Sequence, residues 1–296
     1  MKLNGIIAQA QEQKMEVIPT GISSLDEVIG GLRLGKVCTV AGRPVMGKTA
    51  FAMSIVRNVG IINKIPTAVF SFDHNEREIA KRLFAAELGW NYVKSTKLSD
   101  EMRENVSHLQ DIGFELFPQK EKDSYVQKMN EAPVWIEHDV GVTVDEIVGR
   151  AEQMKRENGI KVLIIDGMTW VFSGQTFSER VHLMLQLNQL ADRLNLAILT
   201  TSDLNRSVEK RVGLKKPFLC DLRGGHYAET FSSIVLFVYR PEYYGICEDE
   251  MGSTENVAYI IVAKNDFGTL REVRLRFTNH ARFEEVQSYL TAEVNF

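Results

Sequence analysis

Eight consecutive residues constrain this 296-residue chain more than anything else in it: Gly42-Arg43-Pro44-Val45-Met46-Gly47-Lys48-Thr49. They fit the spacing G-x4-G-K-[ST]. An apolar run, Val37–Ala41, precedes them, and a helix-forming stretch, Lys48–Asn58, follows. A strand, a glycine-bearing loop and a helix in that order make an anion cradle. Glycines let successive backbone N–H groups converge on phosphate oxygens, and the helix N-terminus adds its partial positive charge. In such a loop the lysine, Lys48, reaches the β- and γ-phosphates, and the hydroxyl of Thr49 ligates Mg2+. The expected cradle is Gly42, Arg43, Pro44, Met46, Gly47, Lys48, Thr49 and Ala50. The competing reading is a glycine-rich turn with an exposed lysine.

The rest of the chain alternates in the same way. Strands are expected at Val37–Ala41, Thr67–Phe72, Pro133–Glu137, Val162–Asp166, Ala197–Thr201, Ser233–Tyr239, Val257–Lys264 and Arg271–Phe277. Helices are expected at Lys48–Asn58, Glu76–Leu88, Val144–Asn158 and Phe177–Leu194. Thr143 and Glu146 have the spacing of a capping box for the third of these. Strands separated by helices imply parallel crossovers, whereas the last three strands follow one another closely and so form an antiparallel edge. The expected fold class is α/β, a mainly parallel twisted sheet with helices on both faces. One domain covers residues 19–296, preceded by an arm over 1–18. In the arm, Leu3, Ile6, Ile7 and Ala10 have helical spacing, which suits either a helix folded onto its own domain or one docked on a neighbouring subunit.

A cradle for a magnesium-bound phosphate needs a carboxylate opposite. Asp166 ends the apolar strand Val162–Ile165, at the edge where open α/β sheets bind ligands. Its alternative role is to cap the next turn. Asp73, after Ser71-Phe72, would face the same crevice and activate water, or else cap the helix from Glu76. His74 beside it reads as a turn residue.

These residues, with the lead-in Pro19-Thr20-Gly21-Ile22-Ser23-Ser24-Leu25-Asp26 and Gly30-Gly31-Leu32, resemble the C-terminal motor domain of DnaB-type replicative DNA helicases, a RecA-like P-loop fold. Ala132-Pro133-Val134-Trp135-Ile136, Ser202-Asp203-Leu204-Asn205-Arg206, Asp221-Leu222-Arg223 and Tyr239-Arg240 continue the resemblance over roughly Pro19 to Phe283, with only the short arm expected in place of the family's N-terminal domain. The resemblance implies six-membered rings, ATP with Mg2+ between subunits, translocation on single-stranded DNA through the channel, and replisome partners. Catalysis would fall to Lys48, Asp73 and Asp166, with Thr49 and Asp166 on the metal. Three positions depart from the family pattern. Asp73 stands for a glutamate, Asp203 for a glutamine, and Asp266 for an arginine finger two residues after Lys264. Lys264 or Arg206, or else Arg271 or Arg274, would then have to reach a neighbour's nucleotide. These departures motivate an alternative, a nucleotide-binding regulatory ring that hydrolyses weakly. Residues Phe114 to Met129 read as an inserted surface loop.

A formal net charge of −4 excludes a uniformly basic surface but not a local one. Arg206, Lys210, Arg211, Lys215, Lys216 and Arg223 face only Glu209 and Asp221 within eighteen positions, a local net charge of +4. That segment suits phosphate contacts without base reading, or is a solvated basic loop. By resemblance, Arg223-Gly224-Gly225-His226 matches the channel loop that grips single-stranded DNA, and Lys215 joins it as a candidate contact. Three scattered cysteines lack metal-ligand spacing and read as reduced thiols. With no signal peptide and no membrane-length apolar run, a cytoplasmic protein is expected.

Overall fold

Nearly every apolar run read from the sequence is a strand, and their order across the sheet decides where the site lies. The structure is a computed structural model that describes residues 16–88, 119–138, 143–223, 227–278 and 282–286. The arm helix expected over the first ten residues falls outside them. Two short strands, β1 (Val17–Ile18) and β2 (Leu32–Arg33), pair antiparallel around the helix Ser23–Ile29, so the domain body takes in Val17 and Ile18.

The main sheet begins with β3 (Lys36–Gly42), β4 (Thr67–Ser71) and β5 (Val134–His138). It continues with β6 (Val162–Asp166), β7 (Ala197–Asp203) and β8 (Ile234–Tyr239). A small separate hairpin joins β9 (Glu248–Asp249) to β10 (Gly252–Ser253). The sheet closes with β11 (Val257–Asn265), β12 (Glu272–Phe277) and β13 (Phe283–Glu285). Its spatial order is β13-β12-β11-β8-β3-β7-β6-β4-β5. The pairs from β5 to β8 are parallel, and those from β8 to β13 are antiparallel.

Buried strands explain the unbroken apolar runs. Cys38 and Val40 of β3 face one core, while Val37 and Ala41 face the other. Val162 and Ile164 alternate with Leu163 and Ile165 in the same way. A sheet covered on both faces needs apolar residues at every position, not every second one. The C-terminal ends of β3, β6 and β7 therefore open onto one edge, and β4 delivers Phe72 there, its N–H donating to Asp166 O (2.9 Å).

The helix Val144–Asn158 carries the expected capping box, with Thr143 Oγ1 accepting from Glu146 N (3.3 Å) and Glu146 Oε2 from Thr143 N (2.8 Å). A second box, Thr176 with Glu179, starts the helix Phe177–Leu194. The helix Lys48–Val56 runs on as a π-helical segment, Arg57–Ile62, four residues past the expected end.

The insertion expected as a loop over 114–129 is a helix from Gln119 to Asn130; residues 114–118 lie outside the described residues. Its apolar stripe is narrow, which hid it. Tyr125 packs edge-on against Phe84 with ring centroids 4.7 Å apart. Lys128 donates to Glu87, which also holds Arg57 at 2.6 Å. Among the described residues no helix is long and apolar enough to cross a membrane.

Candidate active site

The loop between β3 and the helix Lys48–Val56 folds as the sequence requires. Gly47 sits at φ 100°, and a Cβ there would lie 3.2 Å from both Phe277 and Phe283. That close approach over a left-handed turn admits glycine alone. Val45 holds φ 70° at the exposed tip, and Arg240 NH1 donates to its carbonyl at 3.5 Å. Not every cradle residue turns its side chain to the opening. Met46 is packed in the core, and Ala50 is buried at the helix start. The Arg43 side chain turns away: it donates to Glu209 Oε1 (2.9 Å) and to Leu204 O (2.9 Å), pinning the loop to the chain after β7. Gly42, Arg43 and Met46 thus offer the cradle only backbone, while Pro44, Gly47, Lys48, Thr49 and Ala50 line a cleft of about 1110 Å³.

Asp166 is completely buried at the end of β6. Its Oδ1 accepts from Thr201 Oγ1 (2.7 Å) and Thr49 Oγ1 (3.2 Å). Its Oδ2 is buried and accepts no hydrogen bond among the described residues. Burial pushes the carboxyl above the usual carboxylate range, and the neighbouring Asp73 adds to the push against the hydrogen bond from Thr201. It does not cap the helix Met168–Val171, whose N-cap is Gly167. An orphaned carboxylate oxygen beside a threonine hydroxyl, at the mouth of an amide cradle, is the oxygen-donor set a hard divalent cation takes. The residues present fit Mg2+ on Thr49 and Asp166.

Asp73 enters the same cleft. Its alternative role falls away because Asn75 caps the helix Glu76–Leu88: Asn75 Oδ1 accepts from Glu78 N (3.0 Å), and Glu78 Oε2 from Asn75 N (3.3 Å). Trp170 holds Asp73 instead, its indole Nε1–H donating to Asp73 Oδ1. Gly167, at φ 94°, leaves room for this; a Cβ there would stand 3.1 Å from Asp73 Cγ. His74 shares Nε2 with Arg82 at 3.1 Å, and burial, then Arg82, pushes its pKa down, favouring the neutral ring.

Lys48 Nζ lies 2.9 Å from Asp203 Oδ1 and donates to Arg43 O at 3.4 Å. Asp203 Oδ2 faces Arg223 NH1 at 3.7 Å. Much of the basic segment is committed internally. Arg211 NH2 donates to both carboxylate oxygens of Asp221 (2.8 and 3.0 Å), and Lys216 binds Glu272 (2.8 Å). Lys215 Nζ stands 5.3 Å over the Tyr244 ring, and Arg206 is exposed. Gly224 and Gly225 lie outside the described residues. A register shift in β11 between Val262 and Lys264 precedes Lys264, whose Nζ donates to Glu229 O (2.8 Å) and lies 3.6 Å from Asp266.

Sequence reasoning gave no site role to Trp170, Thr201, Arg240 or Phe277. Thr201 carried a legible signal, a hydroxyl at the end of an apolar strand. The placing of Trp170 depends on the left-handed turn at Gly167 and carried none.

A phosphate-type loop at the crevice edge of a parallel sheet, with a carboxylate two strands along on β6 and an antiparallel edge beyond β8, defines a RecA-like P-loop fold. The chain belongs to the DnaB-like helicase C terminal domain family, whose model matches residues 17–285. It is 28% identical over 281 residues to the Replicative DNA helicase DnaB of Leifsonia xyli subsp. xyli (strain CTCB07), covering 93% of this chain and 57% of that protein. It is also 28% identical over 266 residues to a probable plasmid replicative DNA helicase of Chlamydia psittaci, covering 88% of this chain and 54% of that protein. The chain thus spans little more than half the length of these curated relatives. In fold it is similar to a solved ATPase domain, with TM-score 0.79, 23% identity, and coverage of 96% of this chain and 97% of that one. It is similar too to a DnaB-like replicative helicase described with its interactions with primase, with TM-score 0.76, 23% identity, and coverage of 97% of this chain and 67% of that one.

Proposed function

We propose that this chain is an ATP-hydrolysing DNA helicase motor that assembles as a six-membered ring, moves on single-stranded DNA and serves DNA replication in the cytoplasm. The single observation that supports it most is the buried Oδ2 of Asp166, which accepts no hydrogen bond among the described residues, beside Thr49 at the mouth of the P-loop. Membership of the DnaB-like family supports the substrate assignment and the ring, and the structural neighbour described with primase makes a primase one replisome partner to test.

In this reading the amides of Gly47, Lys48 and Thr49 bind the phosphates, and Lys48 leaves Asp203 to neutralise them. The metal, when bound, supplies charge neutralisation at the phosphate oxygens. Asp73, held by Trp170, accepts the proton of the attacking water. Arg223, at the rim of the same cleft, meets the nucleic-acid backbone. A neighbour's cation completes the site from Lys264 or Arg206.

A second reading, a nucleotide-binding ring that turns over poorly, is favoured by the Lys48–Asp203 and Lys264–Asp266 pairs, which set carboxylates where phosphate must be stabilised. Steady-state ATP hydrolysis with and without single-stranded DNA, beside Lys48→Ala, separates the two. DNA-stimulated turnover that is lost in the variant supports the motor. Nucleotide binding without turnover supports the second reading and removes the first.

A further inference from the structure

We infer that Asp203 makes this site discriminate between nucleotides by the number of their phosphates, favouring a nucleoside diphosphate over the triphosphate. This rests on the nucleotide-site reading above and adds to it a specificity residue.

Lys48 Nζ has three hydrogens and no acceptor capacity. One is directed at Arg43 O (3.4 Å), and Asp203 Oδ1 pairs with the ammonium across 2.9 Å. Asp203 is not a remote counter-charge: in the parallel register of β3 with β7 it stands opposite Gly42, the first residue of the loop. Both side chains are largely shielded, 12% exposed for Lys48 and 22% for Asp203. In a P-loop the lysine serves the β- and γ-phosphates together. A diphosphate can be held by the loop amides and the remaining ammonium hydrogen with the ion pair intact. A triphosphate carries about one more negative charge than a diphosphate and adds a terminal group for Lys48 to serve, against the Asp203 carboxylate already paired with it.

Arg223 does not cancel that repulsion. Its guanidinium is 3.7 Å from Asp203 Oδ2, beyond a good hydrogen bond, and its side chain is 59% exposed, so water screens it. A neutral amide in place of Asp203 would keep a hydrogen-bonding oxygen for Lys48 and remove the like charge. Like charges a few ångströms apart at a shielded site are worth a factor of about ten or more in affinity.

The test is calorimetric titration of the full chain with Mg–ADP and with a non-hydrolysable Mg–ATP analogue, repeated on Asp203→Asn, Asp203→Gln and Asp203→Glu. The expected result is an ADP preference of about tenfold in the parent and in Asp203→Glu. Asp203→Asn and Asp203→Gln should bring the two affinities to within about threefold by strengthening the triphosphate. Two neutral variants guard against one failing to fold. A Kd ratio that the neutral variants leave unmoved overturns the inference while the nucleotide site stands. Binding of neither nucleotide to the parent overturns the nucleotide-site reading itself.

Discussion

The indole of Trp170 donates its N–H to Oδ1 of Asp73, although Trp170 is 61% exposed and lies on a different element. The bond holds the carboxylate against Gly167, on the Asp166 side of the cleft. Asp73 is one methylene shorter than glutamate, so its position depends on a support outside its own backbone. Misplacement of about 1 Å costs up to ~100-fold in rate. Trp170→Phe is therefore expected to lower kcat at least about tenfold with KM for ATP changed less than about twofold. An exposed indole contributes little to packing, so the thermal midpoint should hold within a few degrees. Steady-state kinetics beside a melting curve check both.

Asp166 gives a pH prediction. Its carboxyl is raised above the usual range because burial disfavours the charged form. For a group raised in the fold, the stabilising contribution is full below its unfolded value of 3.8 and is lost as pH rises through the higher folded value. At neutral pH the metal-free protein thus carries a costly buried charge, and a divalent cation relieves it. Asp166→Asn should melt at or above the parent near pH 7 without Mg2+ and nucleotide. With both added, the parent should gain several degrees and the variant none. Thermal melts over a pH series read out both effects.

Arg43 is buried, and its guanidinium bonds to Glu209 and Leu204 O hold the P-loop to the segment after β7. Charge-assisted hydrogen bonds of this kind contribute about 1.5–3 kcal/mol. Arg43→Ala should lower stability by ~2 kcal/mol in denaturant titration, and Glu209→Gln by less.

The basic segment splits into two groups with different expected phenotypes. Arg211 and Lys216 are tied to Asp221 and Glu272, so their removal should reduce stability more than nucleic-acid affinity. Arg223 is exposed at the cleft rim, so Arg223→Ala should weaken single-stranded DNA binding. It should also flatten the dependence of log K on log salt by about 0.7, one released phosphate contact. Anisotropy titrations at several salt concentrations check this.

The sheet was legible because strands buried on both faces write themselves as unbroken apolar runs, as at Val162–Ile165. The helix Val144–Asn158 was legible from its capping box. The helix Gln119–Asn130 was not, because among its described side chains Tyr125 alone is buried and charged or polar residues fill most of the rest. At the site, Lys48 and Thr49 were legible from local spacing and Asp166 from its place at the end of an apolar strand, and Thr49 Oγ1 donates to Asp166 Oδ1. The pairs Lys48–Asp203 and Trp170–Asp73 join residues on separate elements far apart in the chain, which no local pattern encodes. The basic segment misleads in the opposite sense. Its charge count is local, but Glu272, which neutralises Lys216, arrives from β12.

We propose that the Gly42–Thr49 loop grips a nucleotide through Lys48, with Asp166 facing the metal. Calorimetric titration of Mg–ADP into the parent and Lys48→Ala tests it most directly. One saturable site per chain is expected in the parent, with at least about thirtyfold weaker binding in the variant. No heat from the parent, or equal affinity in the two proteins, would contradict it.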